Sequence, residues 1–169
     1  MADIEQFLQP YIGAPYTWCL EYEEGGRIGS RAPFWRLSTL PTPEEVKAEG
    51  CCCVGVINFV RIDHSKLTFA GTGHISDVFD GFIKPIQEVL PVGAMLLRRP
   101  RDEVDQGHVA IVISGQRLMH CYVENPEPVE GLVGPGVEID ASWKESHSWH
   151  KEGYYDGYIS VEDWLARDE

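Results

Sequence analysis

Three consecutive cysteines stand directly before an apolar run, in the segment at residues 50–60 (GCCCVGVINFV). The apolar residues that recur there at intervals of three and four are Cys53, Val56, Ile57 and Val60. This spacing predicts a helix that begins at Cys53 and buries one face. Because unpaired backbone N–H groups and the helix dipole favour an anion at that end, we expect a lowered pKa for the Cys53 thiol. Cys53 is therefore a candidate nucleophile.

The remaining patterns predict helices, then a run of antiparallel strands, then a closing helix, which is an α+β fold. Residues 3–12 have helical spacing, the segment 42–45 (TPEE) is a capping box for a short helix that ends at Gly50, and residues 160–163 begin the last helix. The predicted strands are Gly93 to Leu97, His108 to Ser114, Leu118 to Val123 and Val137 to Ile139.

Length and charge narrow the classes of partner and location. A chain of 169 residues is most simply a single domain spanning residues 1–169. Its net charge of −13 argues against nucleic acid and anionic membrane surfaces, since both favour basic patches. The first residues lack the pattern of a secretory signal, and no apolar run reaches the length of a membrane span. With five cysteines, three of them contiguous, we expect a reducing, cytoplasmic location.

Two histidines supply a candidate base for the thiol. His108 begins one predicted strand, and His120 lies on the next, across a predicted turn at Gly115-Gln116. On neighbouring strands the two rings can face each other. One imidazole would then deprotonate the thiol, while the second orients the first and determines its tautomer.

Five motifs in chain order resemble those of one family of enzymes. They are Pro15-Tyr16-Thr17-Trp18-Cys19, Cys52-Cys53-Val54-Gly55-Val56-Ile57, Pro91-Val92-Gly93-Ala94-Met95-Leu96, His108-Val109-Ala110-Ile111-Val112 and Leu118-Met119-His120-Cys121. The tail at residues 149–158 also resembles the strand that closes the family's small barrel. Together they resemble the NlpC/P60 cysteine peptidases of the papain-like superfamily, and the resemblance covers most of the chain.

The resemblance implies a nucleophile-bearing helix packed on an antiparallel sheet, and a cysteine peptidase or amidase that needs no cofactor or metal. It makes Cys53 the nucleophile, His108 the general base, His120 the orienting residue and Tyr16 a substrate-binding residue. The reaction would be the attack of the thiol on an amide carbonyl, followed by release of a thioester to water or another amine. The backbone N–H of Cys53 is the expected oxyanion donor.

The sequence departs from the family beside the nucleophile. The Asp and Ser that help members hold the free amine of a cell-wall peptide are replaced by Cys52 and Val54. An insertion at about residues 20–49 separates the Tyr16 motif from the cysteines. The substrate is therefore expected to be a small peptide or other amide, of cell-wall type or of another kind.

Several alternatives stay open at this point. Cys52 could be the nucleophile, Glu124 or Asn125 could replace His120 as the orienting residue, and Tyr16 could be a core aromatic. A zinc site could use thiols and imidazoles; the candidate ligands are Cys52, Cys53, His108, His120 and Cys121. The scaffold could also be a catalytically inactive module that binds a ligand or a metal. The sequence indicates no oligomeric state.

Overall fold

The computed structural model describes residues 3–17, 39–69, 71–101, 107–114, 117–123, 132–142 and 153–166. Within them the helices are α1 (Ile4–Leu8), α2 (Pro43–Glu49), α3 (Cys53–Asp63), α4 (Thr72–Val78) and α5 (Val161–Ala166). The strands are β1 (Tyr16–Thr17), β2 (Met95–Arg98), β3 (His108–Ser114), β4 (Arg117–Val123), β5 (Leu132–Val133), β6 (Pro135–Asp140) and β7 (Gly157–Ile159). The mixture of helices with an antiparallel sheet confirms the predicted α+β class.

Helix α2 begins at the predicted capping box and delivers the chain to the cysteines. The Thr42 hydroxyl accepts a hydrogen bond from the Glu45 N–H, and the Glu45 carboxylate accepts one from the Thr42 N–H, both at 3.2 Å. Gly50 ends the helix with a φ of 81°, a conformation that side chains other than glycine rarely adopt. The turn at Gly50 thus separates α2 from α3.

Helix α3 carries the apolar run, begins at Cys53 as predicted, and packs against β3 and β4. Its apolar side chains at Val56, Ile57, Phe59 and Val60 are at most 1% exposed. Each such side chain contributes about 1.5–3 kcal/mol when removed from water. The burial of this helix therefore fixes the position of its first residue against the sheet.

Five strands form the main antiparallel sheet in the order β6-β4-β3-β2-β7, and β1 pairs with β5 in a small second sheet. The predicted strands are all present; β3 has the predicted boundaries, and those of the others differ by at most two residues. Strands β3 and β4 are antiparallel neighbours, as the predicted hairpin requires, with Ile111 opposite Met119. The turn predicted at Gly115-Gln116 lies outside the described residues.

The two faces of the sheet are covered by different layers. Val109 and Ile111 point into the core shared with α3. This core contains buried residues from Ile4 in α1 to Leu165 in α5. Ala110 and Val112, which alternate with them, point to the other face. Tyrosines of the segment at 154–158 cover that second face.

Helix α4 and the short strands β1 and β5 have no counterpart in the predicted elements. Of the insertion expected at about 20–49, residues 39–49 contain α2, while residues 20–38 lie outside the described part of the chain. Residues 149–152 of the tail motif lie outside it as well. The assignment of residues 1–169 to one domain therefore stays a prediction.

Among the described helices, none combines the length and the apolar character that a bilayer crossing demands.

Candidate active site

Cys53 lies at the start of α3 with its side chain 8% exposed. Its sulfur interacts with the backbone N–H groups of Val109 and Val54, which favour the thiolate. Burial outweighs these contacts and raises the pKa of the Cys53 thiol from 9.0 to about 11. The lowered pKa expected from the helix position is therefore wrong, because removal of the sulfur from water dominates over the helix terminus. At neutral pH, Cys53 is a protonated thiol.

The two histidines meet as the sequence predicts. His108 is the first residue of β3, His120 lies in β4, and both are buried. Nε2 of His108 and Nδ1 of His120 are 2.7 Å apart, so one proton is shared between them. The rings meet edge to face, at 72°. This contact uses Nε2 of His108, so a reaction with a thiol would involve Nδ1.

A third group, which the sequence reasoning missed, reaches the other side of His120. Nε2 of His120 lies 2.7 Å from Oδ2 of Asp140, the last residue of β6. The oxygen lies off the direction of the Nε2–H bond, so the two groups are not a well-aligned hydrogen bond. At 2.7 Å, however, two lone pairs would repel each other, so one of the two atoms carries a proton. Both side chains are at most 8% exposed.

The sequence held only a weak signal for Asp140. Glu138 lies in the predicted strand Val137 to Ile139, and Asp140 directly follows that strand. If the extended conformation continues by one residue, both side chains share a face. Nothing in the sequence shows that β6 pairs with β4, where His120 lies opposite Glu138. The contact follows from this register, which depends on tertiary structure.

The thiol and the imidazoles lie on different faces of the sheet, near the beginning of β3. Alternation along β3 puts His108 on the face of Ala110, whereas α3 packs on the face of Val109. The sulfur of Cys53 reaches the Val109 N–H, one residue after His108. The ring centre of Tyr155 is 6.3 Å from that of His108. Burial raises the pKa of Tyr155 well above 10, with smaller contributions from Tyr154, Asp140 and Cys53.

Tyr16 and the other described cysteines lie on the α3 side of the site. Tyr16 is 7% exposed, and β1 forms a parallel bridge to Cys51 at this residue. Burial, with the nearby thiols of Cys53 and Cys52, raises the pKa of Tyr16 well above 10. Tyr16 is therefore beside the candidate nucleophile, while its role in substrate binding stays a prediction.

The structure describes the other cysteines near Cys53, including Cys52, the alternative candidate for the nucleophile. Cys52 is the N-cap of α3 and is half-buried, so it is more exposed than Cys53. Cys51 and Cys121 are fully buried with their sulfurs 3.5 Å apart. Glu124 and Asn125, the other candidates for the orienting role, lie outside the described residues.

The proposed zinc ligands do not come together around one point. His120 and Cys121 are consecutive in β4, so their side chains point to opposite faces of the sheet. Among the described residues, the group of three potential ligands within 4.8 Å of one another is His120, Glu138 and Asp140. Two ligands of a tetrahedral zinc ion are roughly 3.3 Å apart, given its usual bond lengths. The 2.7 Å between Nε2 of His120 and Oδ2 of Asp140 is shorter than that separation.

Comparison with known proteins adds no assignment to this geometry. No protein-family model matches the sequence, and no match is found among the curated proteins.

Proposed function

We propose that this chain is a cysteine peptidase or amidase with a papain-like fold of the NlpC/P60 type, which hydrolyses an amide bond through a thioester. The observation that carries the proposal is the 2.7 Å contact between His108 and His120. It lies at the beginning of β3, one residue before the Val109 N–H that the Cys53 sulfur contacts. A thiol, an imidazole and a second imidazole that orients the first are the groups that nucleophilic acyl transfer requires.

Acylation begins from the protonated thiol. Nδ1 of His108 takes the thiol proton as the Cys53 sulfur attacks the amide carbonyl. This proton transfer requires the His108 ring, at the first residue of β3, to be oriented towards the sulfur. The backbone N–H at the start of α3 stabilises the oxyanion of the tetrahedral intermediate. Its collapse breaks the C–N bond, and the imidazolium of His108 gives the proton to the leaving amine. A thioester on Cys53 remains.

Deacylation repeats these steps with water. His108 removes a proton from water, the oxygen attacks the thioester, and the carboxylic acid leaves as the sulfur recovers its proton. An amine in place of water would give a transferase. The raised pKa of Cys53 makes His108 indispensable, because no preformed thiolate is present at neutral pH.

The substrate class is a small peptide or other amide. Cys52 and Val54 bring no charge to the site, so the free amine that family members hold with Asp and Ser has no equivalent partner at these positions. A neutral or blocked acyl group therefore suits the site better than a free amino-terminal residue. A cytoplasmic location fits the four described cysteines, all of which are reduced.

The first test is acylation by p-nitrophenyl acetate, an activated ester that reports thioester formation without knowledge of the substrate. We expect a burst of one equivalent of p-nitrophenolate, and one acetyl group located on Cys53 by mass spectrometry. His108→Gln should slow the burst by about 100-fold or more, as for loss of a general base. The matched control is His64→Gln, at the other end of α3, which should leave the burst unchanged.

Two outcomes would overturn the proposal in different ways. Acetyl transfer to Cys52 alone would move the nucleophile by one residue. Absence of any acylated cysteine in the folded protein would support the inactive binding module instead. If Cys53 is acylated, a panel of amides with neutral acyl groups is then tested for hydrolysis.

A further inference from the structure

We infer that Asp140 is a positioning residue whose carboxylate sets the tautomers of both histidines, so that His108 presents an unprotonated Nδ1 to the thiol. This inference rests on the proposed function and names a fourth member of its machinery. It uses two contacts, the 2.7 Å from Asp140 to His120 and the 2.7 Å from His120 to His108.

The first step concerns the proton on His120. An ionised carboxylate carries no proton, so in the contact of Oδ2 of Asp140 with Nε2 of His120 the protonated atom is the nitrogen. A neutral imidazole carries one N–H and one acceptor nitrogen. With Nε2 protonated, Nδ1 of a neutral His120 is an acceptor.

The second step carries this constraint to His108. Because Nδ1 of His120 accepts, the proton in the contact between the two rings belongs to Nε2 of His108. Neutral His108 then has no proton on Nδ1, which is the state that a general base needs. With the opposite arrangement, His108 would carry its proton on Nδ1 and could not accept one from Cys53.

Asp140 is better placed for this role than its neighbour Glu138. Both lie on β6, and His120 is directly opposite Glu138 in the register. The atom in contact with Nε2 of His120 is nevertheless Oδ2 of Asp140. Asp140 is 7% exposed, whereas Glu138 is half-buried, so water screens the charge of Glu138 more strongly.

Two tyrosines also lie near His120 and Asp140. The Tyr122 ring stacks on it, with centres 4.8 Å apart and planes at 17°, so this contact is to the ring face. Tyr155 is close enough to Asp140 for the carboxylate to contribute to its raised pKa, after burial and Tyr154. Asp140 is thus a charged group in direct contact with the histidine pair.

The test reads the tautomers directly, by nitrogen-15 NMR of histidine-labelled protein at a pH above about 7.5, where an unperturbed imidazole is neutral. For the unmodified chain we expect Nε2 to be protonated, and Nδ1 unprotonated, in both His108 and His120. Asp140→Asn should produce mixed or reversed tautomers, since a carboxamide can donate as well as accept. Glu138→Gln is the matched control and should leave the spectrum unchanged.

The acylation burst supplies the second readout. Asp140→Asn should slow it by about 100-fold or more, with unchanged site of acylation, and Asp140→Glu should restore part of the rate because the charge is kept. Glu138→Gln should change it less than about threefold. Thermal unfolding of each variant verifies that the protein is folded.

The outcomes separate this inference from the proposed function. A proton on Nδ1 of His108 in the unmodified chain overturns the inference, even if Cys53 is acylated. Equal effects of the two substitutions on tautomer and rate also overturn it. If the tautomers are as expected and no cysteine is acylated, the positioning of the histidines stands while the proposed function fails.

Discussion

Nε2 of His108 and Nδ1 of His120 lie 2.7 Å apart across two neighbouring strands. The register with Ile111 opposite Met119 places His120 opposite Ala110, so the two histidines are diagonal neighbours on one face of the sheet. Such neighbours are within reach of long or aromatic side chains, and here the rings turn edge to face and share a proton. The antiparallel pairing of β3 and β4 is therefore the physical origin of the candidate relay.

Replacement of Cys53 by alanine should abolish acylation, with a loss of at least about 1,000-fold, because the nucleophile is removed. The free energy of unfolding should change by about 1 kcal/mol or less, since a small side chain is shortened at the end of a helix. Stopped-flow measurement of p-nitrophenolate and thermal unfolding check the two expectations. Cys52→Ser is the matched control and should keep the burst. Loss of folding in Cys53→Ala would make the thiol a structural residue.

Alkaline pH should destabilise the protein, and Cys53 should account for part of the effect. Its pKa is about 11 when folded and near 9.0 when exposed, so between these values the unfolded chain releases this proton first. The stability from this group is complete below about pH 9 and is lost as the pH rises towards 11. Two pKa units correspond to up to about 3 kcal/mol.

Urea unfolding between pH 8 and about pH 11 measures this loss. The free energy of unfolding of the unmodified chain should fall relative to that of Cys53→Ala with rising pH, since only the former has this thiol. Because the loss exceeds the difference at pH 8, Cys53→Ala should become the more stable of the two towards pH 11. Burial also raises the pKa values of Cys121, Tyr16 and Tyr155, and the comparison at equal pH cancels their contribution. A difference that stays constant across this range would show that the thiol has an ordinary pKa in the folded protein.

Gly107→Ala should disturb the residue that follows it, His108. Gly107 has a φ of 89°, and a Cβ there would come 2.5 Å from the Arg98 carbonyl oxygen. The strain should cost about 1–3 kcal/mol of stability and displace the start of β3, which slows acylation. Gly81 has open space around its Cα and no positive φ, so Gly81→Ala serves as the control, with a change within about 0.5 kcal/mol. Equal behaviour of the two variants would contradict the role of Gly107.

Tyr16→Phe separates substrate binding from packing. If Tyr16 contacts the acyl group, loss of its hydroxyl should raise the ester concentration that gives half-maximal acylation by a few-fold. Tyr11→Phe is the matched control, because the Tyr11 hydroxyl donates a buried hydrogen bond to the Pro41 carbonyl at 2.7 Å. It should cost about 1 kcal/mol of stability and leave the kinetics unchanged. A Tyr16→Phe variant that loses only stability would make Tyr16 a core aromatic.

Interactions between residues that are close together in the chain could be predicted from the sequence alone. The capping box at Thr42 and Glu45, the start of α3 at Cys53 and the strand that begins at His108 were all predicted, and the structure has them. Each depends on local hydrogen bonds or on the periodicity of apolar residues. The pairing of His108 with His120 also followed, because a short turn makes consecutive strands neighbours.

The tertiary structure alone decided the environment of these residues. Burial reversed the expected direction of the Cys53 pKa, since desolvation depends on everything that covers the sulfur. The pairing of β6 with β4 brought Asp140 to His120, which requires the strand order of the whole sheet. Sequence patterns thus determined that Cys53 begins α3 and that His108 begins β3. The charge and proton of each group depend on long-range packing, which no local pattern encodes.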